Sequence, residues 1–541
     1  MTDIEIPYKE DRGWKYRSLE ILPGALSWSM LLLPLVLSLI NVTFASIFIL
    51  AYLLVFFARS IGVNLRAFQG YNMMQKHRKF PWADMLDELD RGEVSDPEAK
   101  RPKWHAENIA RHTSDASLIR PSDVVHVIMI ATYNESREVL EPTIQSVVAS
   151  DYDMKKVILV LAYEERGGEL VSRQAQELVA QYRDTFKFAW AVKHPKDLPG
   201  EIRGKGGNIT YAGKILQEHL EEEGVNPEYV IVTTLDADNR PDPKYLSALS
   251  YVYCMLPDPT HVSIQPISMY TNNIWDAPAP MRVIATGNTF FNIVLSLRPH
   301  MLRNFSAHAQ SMASLIQTNF WSVRTIVEDG HQFWRSYFRF EGNYRVIPLY
   351  VPIYQDAVLA EGYLKTFKAQ FIQLRRWTYG ASDIAYVITH GFLMPNKVPR
   401  FDLISKTWRL IEGHVTWAVG PIISLTAGFI PALIHSDSYA ANELPIIVSN
   451  IQTVALIGLS ASLFICFKTL PPKPARYRHH RSLFMVLQWV YLPVTTIVFN
   501  SFAALNSQTR LMFGRYLDKF DVTEKAVKTE AGETISRDTK E

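Results

Sequence analysis

Two long apolar runs near the start of the chain restrict its fold more than any other feature of the sequence. The first, Leu22–Ile40, is almost wholly apolar or small, and after a short polar break a second extends from Phe44 to about Val63. Each has close to the ~20 apolar residues that a helix needs to cross a bilayer. We therefore predict a transmembrane hairpin over residues 21–63. A buried soluble helix is the alternative for each run, and a cleaved signal peptide fits poorly because a second apolar run follows at once.

The charges around the hairpin orient it in the membrane. Its turn is uncharged, whereas basic residues stand on both sides of it. They are Lys9, Arg12, Lys15 and Arg17 before the hairpin, and Arg59, Arg66, Lys76, Arg78 and Lys79 at its end or after it. Because Lys and Arg concentrate in cytoplasmic loops, we predict that both flanks, including the N-terminal segment 1–20, are cytoplasmic.

Three further apolar runs follow residue 410, namely Val415–Ile434, Leu444–Phe467 and Leu483–Leu505. They predict two to three more spans within residues 401–508, with Pro493 able to break the last one. The loop between the last two runs is basic and is expected in the cytoplasm. One further span follows this loop, so counting spans would put the C-terminus outside. The tail, residues 509–541, is also basic, and for this reason we expect it inside. The sequence thus predicts a multi-pass integral membrane protein, with a bacterial inner membrane as the expected location.

Averages over the whole chain conceal this division. Mean hydropathy is −0.03 although 48% of the residues are hydrophobic, because the apolar residues concentrate at the two ends. A net charge of +2 gives no basis for a nucleic-acid partner. The two cysteines, Cys254 and Cys466, are too few for a disulfide framework or a cysteine zinc site.

Between the membrane segments, short apolar runs alternate with helical patterns. The strand candidates are Val124–Ala131, Val157–Tyr163, Phe186–Val192 and Tyr229–Leu235, and the helical patterns are Val139–Ala149, Glu169–Tyr182 and Asn208–Glu222. The strand candidates are continuously apolar, as expected of strands covered on both faces. After a charged linker over residues 64–122, this alternation predicts an α/β domain over residues 123–400, with a mainly parallel sheet flanked by helices. Ligands of such sheets bind at the carboxyl ends of the strands.

Two carboxylates directly follow the last of these strands. Asp236 and Asp238 are two residues apart, so on an extended chain they point to the same side and can share a divalent cation. Mg²⁺ or Mn²⁺ held by one or two carboxylates and a substrate phosphate is the usual arrangement. A solvated turn is the alternative for a lone Asp-x-Asp. Asp242, between two prolines, is predicted to be a turn or cap residue rather than a ligand.

Polar residues also follow the first two strands. Thr132, Asn134 and Glu135 come after the first, where they can contact a nucleotide, although a helix cap is an equally good interpretation for this segment. Glu164 and Glu165 follow the second, where paired acids can hydrogen-bond a base. Solvent-facing loop charges are the alternative for this pair.

The segment 204–208, GKGGN, opens the third helical pattern. It does not match the P-loop, which needs Ser or Thr directly after Lys205, and it does not match GxGxxG, whose last glycine would fall at Ile209. A helix N-terminus with a lysine still attracts phosphate, so Lys205 is a candidate for binding one.

Two more motifs lie further along the chain. Glu328 and Asp329 stand in VEDG (327–330), and QLRRW (373–377) lies just before the membrane runs resume. Together with LDADNRPDPKYL (235–246), and in this order, they resemble the motifs of the processive-type family 2 glycosyltransferases. That group includes the cellulose, chitin and hyaluronan synthases, with the ceramide glucosyltransferases nearby. The resemblance covers about residues 124–377 and the membrane layout on either side.

The resemblance implies a GT-A fold and a nucleotide-sugar donor, with a UDP-sugar favoured. It implies that Asp236 and Asp238 bind metal and diphosphate, and that Glu164 or Glu165 contacts the base of the nucleotide. It also implies that Lys205 and Asn208 lie near the donor and that Asp329, beside Glu328, is the general base. In the same way, Gln373, Arg376 and Trp377 are implied to cover the diphosphate and the acceptor. Two features depart from the family's pattern. The second-strand acids are Glu-Glu rather than Asp-Asp, and the segment between Gln265 and Trp321 contains no recognisable acceptor loop.

The chemistry of sugar transfer with inversion matches these residue types. A base must take the proton of the acceptor hydroxyl, and the departing diphosphate needs cationic stabilisation. A metal and the planar guanidinium of Arg376 both provide it. We therefore expect transfer from a nucleotide sugar to a polysaccharide or lipid acceptor, with membrane lipids as further partners and an export partner left open.

Two other functions stay open at this point. A nucleotide-sugar-binding scaffold or transporter would not need Asp329 together with both carboxylates of the Asp-x-Asp. A nucleotidyltransferase would carry a glycine-rich, arginine-containing loop after the first strand, where this chain reads ATYNESREV, without glycine.

Overall fold

The first two helices form a hairpin joined at one residue. The computed structural model describes residues 4–96, 98, 100–455, 457–478, 480–518, 526–528 and 534–536. Helix α1 (Trp14–Ile40) ends at Asn41, whose side chain accepts a hydrogen bond from the backbone N–H of Thr43 at 2.8 Å. This bond caps the start of helix α2 (Val42–Lys79) and satisfies one of the backbone donors exposed there.

The other helices and the strands are numbered along the chain. The helices are α3 (Trp82–Arg91), α4 (Lys103–Ser114), α5 (Arg137–Val148), α6 (Gly168–Tyr182), α7 (Lys205–Glu222), α8 (Tyr245–Cys254), α9 (Ala279–Ser296), α10 (Met312–Gln317), α11 (Glu328–Arg339), α12 (Tyr363–Thr378), α13 (Asp383–Ile388), α14 (Arg400–Thr426), α15 (Ile430–Ile434), α16 (Tyr439–Ala455), α17 (Ile457–Thr469), α18 (His480–Leu487), α19 (Leu492–Thr495) and α20 (Phe502–Met512). The strands are β1 (Val125–Thr132), β2 (Val157–Glu164), β3 (Phe188–His194), β4 (Val230–Asp236), β5 (Arg240–Pro241), β6 (Val262–Tyr270), β7 (Ala309–Ser311), β8 (Arg345–Gln355), β9 (Ala526–Lys528) and β10 (Thr534–Ser536).

Four helical paths are long and apolar enough to cross a membrane, namely Trp14–Ile40, Val42–Lys79, Arg400–Ile434 and Arg481–Met512. Between 17% and 39% of the most apolar window of each is buried, so most of these apolar side chains face outward, as faces in contact with lipid do. The hairpin and the first and last of the later apolar runs are therefore confirmed as helices able to span a bilayer. The remaining run, Leu444–Phe467, corresponds to α16 and α17. Residue 456, between these two helices, is not among the described residues.

The last apolar run is irregular around Pro493. A 3₁₀ turn over Gln488–Tyr491 precedes α19, and a wider π turn over Thr496–Ser501 follows it. A proline removes one backbone donor from a helix, and local 3₁₀ or π adjustments satisfy the carbonyl groups left over. The predicted interruption therefore takes the form of irregular turns within one helical path.

Eight strands form one mixed sheet in the order β3-β2-β1-β4-β7-β6-β8-β5. The first four of these are parallel, and β6 and β8 also pair in parallel, whereas β7 joins the two halves by antiparallel pairing. This confirms the predicted α/β architecture, with a mainly parallel sheet and flanking helices. The four predicted strands differ from the observed ones by at most two residues at either end.

Both faces of the parallel strands are covered. On one face, Ile128 and Ile130 of β1 belong to a core cluster with Val139 of α5, and on the other, Val127 and Met129 pack with residues of α7. Successive residues of each strand are therefore apolar, which is why the strands are continuous apolar runs in the sequence. Polar side chains are left at the carboxyl ends, where the strands leave this core.

The segment between the hairpin and the sheet packs onto the sheet. The rings of Trp82 in α3 and Tyr251 in α8 meet edge to face at 5.4 Å. Arg78, near the end of α2, donates to Asp242 at 3.0 Å, and so connects α2 to the end of the sheet. Asp242 also accepts a hydrogen bond from the backbone N–H of Lys244 at 3.2 Å, in the turn role predicted for it.

Candidate active site

The carboxyl ends of β1, β2 and β4 open into a cavity of about 1300 Å³. Its lining includes most of the residues predicted for the site, namely Thr132, Glu135, Glu164, Lys205, Asn208, Asp236, Asp238, Glu328, Asp329, Gln373, Arg376 and Trp377. Asn134 and Glu165, both of them described, lie outside this lining. The same cavity continues between helices that are able to span a membrane, where it is lined by Phe56, Trp417, Pro421, Leu492 and Asn500.

Asp236 and Asp238 stand at the end of β4 and are held by different loops. Asp236 Oδ2 accepts a hydrogen bond from Ser306 Oγ at 2.7 Å, and Asp236 Oδ1 lies 2.9 Å from Lys205 Nζ. Asp238 Oδ2 accepts a hydrogen bond from the backbone N–H of Asp356 at 3.2 Å. The two carboxylates are therefore oriented by neighbours from three separate segments of the chain.

The donor set at this position fits a small divalent cation. Asp236 and Asp238 supply hard carboxylate oxygens, and Mg²⁺ or Mn²⁺ is commonly bound by one or two carboxylates with water and substrate phosphate as the other ligands. Among the described residues, no group of three or more His, Cys, Asp and Glu side chains forms a complete metal site. The remaining ligands would have to come from the diphosphate of a donor and from water.

Lys205 lies at the start of α7 and connects two acidic residues. Its Nζ is 2.9 Å from Asp236 and 3.1 Å from Asp329, and its side chain is only 7% exposed. Burial by itself lowers the pKa of this ammonium group, but the carboxylates of Asp236, Asp329 and Glu328 together raise it above its usual range. Lys205 is therefore a fixed positive charge in the cavity wall.

The glycines beside Lys205 allow α7 to approach its neighbours. A Cβ at Gly206 would lie 2.3 Å from the carbonyl oxygen of Ser322, and one at Gly207 would lie 2.6 Å from Glu201 Oε2. Both distances are too short for any side chain. The GKGG sequence is thus explained by close packing around Lys205 rather than by a phosphate-binding loop.

Glu328 and Asp329 form the first turn of α11. Asp329 is 19% exposed in the cavity wall, where the positive end of the helix dipole favours its negative charge. Glu328 is buried, at 3% exposure. Burial and the charge of Asp329 raise the pKa of Glu328 above its usual range, although the charge of Lys205 opposes this. Glu328 therefore favours its neutral, protonated form.

His308 is buried directly behind Asp329. The indole N–H of Trp321 donates to His308 Nε2 at 3.2 Å, and His308 Nδ1 donates to the carbonyl oxygen of Phe305 at 2.8 Å. These two bonds assign the neutral tautomer with its proton on Nδ1, and burial lowers the pKa of this histidine in the same direction. His308 Nδ1 also lies 3.7 Å from Asp329 Oδ1, while its N–H is used in the hydrogen bond to Phe305.

The residues after β1 hold one another. Glu135 Oε2 accepts hydrogen bonds from Thr132 Oγ1 and from the backbone N–H of Tyr133, each at 2.8 Å. Asn134 is not part of the cavity lining, and its side-chain oxygen is buried without a hydrogen-bond partner in the described part of the chain. Thr132 and Glu135 thus line the cavity as one rigid unit.

The two acids after β2 have different surroundings. Glu164 is buried and accepts hydrogen bonds from Arg166 at 2.8 Å and from His194 Nδ1 at 3.1 Å. Glu165 is more exposed and accepts the backbone N–H of Lys196 at 3.0 Å, outside the cavity. Of this pair, only Glu164 is placed to contact a ligand.

His194 is held between two carboxylates. Its second ring nitrogen donates to Glu201 at 3.0 Å, so both nitrogens act as donors and the ring is an imidazolium. Burial alone would lower the pKa of His194, but hydrogen bonds to Glu164 and Glu201 raise it to about 9.

Asn208 joins the ends of two strands. Its side-chain amide donates to the carbonyl oxygen of Ala162 at 2.9 Å and to that of Thr132 at 3.4 Å. The residue is 2% exposed. Its contacts fix the spacing of β1 and β2 where these strands meet the cavity, and its side-chain oxygen is buried without a partner among the described residues.

Gln373, Arg376 and Trp377 lie on α12 and line the same cavity as the Asp-x-Asp. Gln373 accepts a hydrogen bond from Gln370 at 3.2 Å. The Trp377 ring lies 6.0 Å from the ring of Tyr270 at the end of β6. The structure thus brings the motif to the cavity at the strand ends.

Several residues that shape the site were not predicted from the sequence. Asn272 donates to the backbone carbonyl of Asp238 at 3.0 Å, while Asn273 exchanges two hydrogen bonds with the backbone of Ala357. With Ser306 and His308 they come from the polar segments between Gln265 and Trp321. Their clustering of amides and small polar residues was the only signal in the sequence.

Comparison with known proteins gives structural similarity only. No family model matches the sequence, and no curated protein matches it. Among solved structures, a mannosyltransferase from Pyrobaculum calidifontis in complex with GDP-Man and Mn²⁺ is 14% identical, with a TM-score of 0.40 over 86% of this chain and 100% of that one. S. aureus TarS 1–349 in complex with UDP-GlcNAc is 12% identical, with a TM-score of 0.34 over 76% and 96% of the two chains. GalNAc-T7 with UDP, GalNAc and Mn²⁺ is 11% identical, with a TM-score of 0.30 over 58% and 59%. At this level of similarity these glycosyltransferases carry no argument about this chain's donor, metal or acceptor.

Proposed function

We propose that this chain is a membrane-embedded, metal-dependent glycosyltransferase that moves a sugar from a nucleotide sugar to an acceptor with inversion. The observation that carries the proposal is the position of Lys205, whose ammonium contacts Asp236 at 2.9 Å and Asp329 at 3.1 Å. Asp236 Oδ1 and Asp329 Oδ2 are therefore at most about 6 Å apart, with the ammonium group beside both. An acceptor hydroxyl at Asp329 would thus be close to a sugar whose diphosphate is held at Asp236.

The donor is proposed to bind across the carboxyl ends of the strands, as in other parallel sheets. Thr132, Glu135 and Glu164 line the nucleotide side, while Asp236 and Asp238 hold the metal and Arg376 faces the diphosphate. Mg²⁺ or Mn²⁺, when bound, neutralises charge on the departing diphosphate. Arg376 adds a planar guanidinium, whose paired N–H groups match phosphate oxygens. A UDP-sugar is the favoured donor.

Asp329 is proposed to be the general base. The acceptor hydroxyl oxygen forms a bond to the anomeric carbon while the bond from that carbon to the diphosphate breaks, and the hydroxyl proton passes to Asp329. Glu328 supports this role because burial favours its neutral form, so it adds little negative charge beside Asp329. His308 packs behind the carboxylate of Asp329, with its Nδ1 3.7 Å from Oδ1.

The acceptor is proposed to reach the site from the membrane. The cavity extends from the sheet to residues of α2, α14 and α19, so a chain held between these helices reaches the base without crossing the aqueous surface. Either a polysaccharide or a lipid fits this layout. In the predicted topology the catalytic domain, residues 123–400, lies on the cytoplasmic side of an inner membrane, between the hairpin of residues 21–63 and the spans of residues 401–508.

A scaffold or transporter that binds nucleotide sugars is the second candidate function. It is weakened by the presence of Asp236, Asp238 and Asp329 around one cavity, because binding a nucleotide sugar needs no third carboxylate beside the Asp-x-Asp. A nucleotidyltransferase is weakened by the turn after β1, where Glu135 accepts two hydrogen bonds in place of a glycine-rich loop.

The test is release of nucleoside diphosphate by the purified full-length protein in lipid nanodiscs. A panel of UDP- and GDP-sugars is offered with Mg²⁺ or Mn²⁺ and membrane lipids. Asp238→Asn is expected to abolish the release, and Asp184→Asn, an exposed acid remote from the cavity, is expected to leave it intact. Donor binding without release under every condition would favour the scaffold.

A further inference from the structure

Four arginines cluster at the membrane side of the cavity, away from the donor residues. They are Arg66 of α2, Arg298 and Arg303 after α9, and Arg409 of α14, and they are called the membrane-side arginines below. Arg303 and Arg409 line the cavity directly. Burial, followed by the charge of Arg409, lowers the pKa of Arg303 to about 10, although the charge of Asp402 opposes this. Burial and the charge of Arg66 lower that of Arg298.

The cluster lacks counterions of its own. In the part of the chain that the structure describes, none of the four arginines has a carboxylate within salt-bridge distance. Arg66 and Arg303 donate to carbonyl oxygens of Gly62 and Leu302, at 3.0 and 2.8 Å.

The two nearest acids already have partners. Asp402 pairs with Lys406 and accepts a hydrogen bond from Tyr337, while Glu412 pairs with Arg59. Asp402 acts on Arg303 through its charge, but it is shared with Lys406, so positive charge stays in excess around the four arginines. Because like charges repel, an anion bound here would stabilise the cluster.

Arg303 is fixed in place for such a contact. Its guanidinium lies 4.1 Å from the ring centre of Phe333 and 5.0 Å from that of Trp334. Stacking on two aromatic faces holds the planar group while leaving its N–H edge available for oxygen atoms.

The wall beside these arginines is apolar. Phe291 and Leu295 of α9, Leu410 of α14 and Phe56 of α2 line the same part of the cavity. Phe291 is 53% exposed, so its ring is open to an apolar ligand in the cavity. Since α2 and α14 are two of the helices able to span the membrane, this wall continues toward the lipid. Its chemistry suits a ligand with an anionic head and an apolar chain.

We propose that the acceptor is a glycolipid whose sugar is joined to its lipid through a phosphate, and that the membrane-side arginines bind this phosphate. The inference rests on the proposed function, because it names the acceptor of that site. The lipid chain lies along the apolar wall between α2, α9 and α14. The sugar then projects toward Asp329, and one of its hydroxyl groups attacks the donor.

The test measures binding and does not depend on turnover. A labelled polyprenyl phosphate is titrated into the full-length protein in phosphatidylcholine nanodiscs, with polyprenol and inorganic phosphate as competitors. We expect saturable binding that polyprenol displaces poorly. Arg303→Gln and Arg409→Gln should each weaken it about tenfold or more, as expected for loss of a charge-assisted hydrogen bond. Arg409→Lys should weaken it less than Arg409→Gln, because it keeps the charge.

Controls separate this outcome from misfolding and from general attraction to the membrane. Lys473→Gln changes a basic residue in another membrane-side loop and should leave binding unchanged. Nucleoside diphosphate binding to every variant should match the wild type, which shows that the donor site is folded. Equal binding of polyprenol, equal competition by inorganic phosphate, or insensitivity to the arginine variants would each overturn the proposal.

Nucleoside diphosphate release, measured in parallel, keeps the two proposals apart. Release with a donor but no saturable binding of polyprenyl phosphate would leave the glycosyltransferase standing and refute the lipid phosphate acceptor. Saturable binding that depends on Arg303 and Arg409, without release from any donor, would support the lipid site and refute the transferase.

Discussion

Replacing Lys205 by methionine tests the electrostatic arrangement of the site. Methionine keeps an apolar stem of similar length but removes the ammonium group. In the wild type this group lies 2.9 Å from Asp236 and 3.1 Å from Asp329, in a side chain that is 7% exposed. The variant therefore leaves two close carboxylates, with Glu328 beside them, without the charge that now separates them.

The magnitude follows from these distances. At an effective dielectric constant of about 20, each contact near 3 Å contributes roughly 5 kcal/mol of gross attraction. Desolvation offsets most of this, and breaking a buried ion pair by removing one partner typically costs ~3–5 kcal/mol of folding free energy. For a domain of this size, ~1 kcal/mol corresponds to about 2 °C, so the midpoint of thermal unfolding should fall by roughly 6–10 °C at pH 8.

The assay is thermal unfolding of the purified protein in nanodiscs at a fixed scan rate, between pH 5 and pH 8. The difference from the wild type should shrink toward pH 5, because carboxylates that have lost their counterion take up protons and relieve the repulsion. Lys214→Met, an exposed lysine on the same helix, serves as the matched control and should change little. A shift below 2 °C at pH 8, or one that is the same at both pH values, would refute this reasoning.

Three further variants test individual contacts. Glu328→Gln should keep transfer within about tenfold of wild type at pH 7, since Glu328 is already protonated there; a loss as large as that of an Asp329 variant in the release assay would contradict this. His194→Gln should destabilise the protein most below pH 6.5 and not at all well above pH 9. In the folded protein the pKa of His194 is raised to about 9, so the charged ring stabilises the fold fully below the pKa of an unfolded histidine and loses this effect as pH rises through 9. Thermal unfolding midpoints measured across this pH range check the sign. Gly206→Ala should lower the yield of folded protein, because its Cβ would lie 2.3 Å from a backbone carbonyl oxygen; normal yield and unfolding midpoint would show that the facing loop moves freely.

The parallel sheet and its strand-end acids were predictable because their signals are local. Each strand of the first half is buried on both faces, and so appears as an uninterrupted apolar run. Asp236 and Asp238 come directly after such a run, and parallel topology brings them to the edge where Lys205 begins the helix after β3. Asp329 and Arg376 were predicted to lie near the same edge of the sheet because their motifs follow in the order seen in the family that the sequence resembles.

Other features of the site depend on contacts between distant segments and have no local signal. His308 reaches Asp329 because β7 pairs antiparallel with β4 and brings the preceding loop over the sheet. Asn208 ends between two strands as a packing contact, which its position in the sequence does not reveal. The membrane-side arginines are far apart in the sequence, between positions 66 and 409. They come together through the packing of α2, α9 and α14.

The role of Asp329 is the central claim, and single-turnover transfer by Asp329→Asn tests it most directly. The measurement compares sugar transfer and donor affinity for the wild type and this variant under identical conditions. We predict that the variant loses about 10² to 10⁴ in rate, the usual contribution of a general base, while its affinity for the donor stays within about threefold. A variant that transfers sugar at close to the wild-type rate would contradict the account.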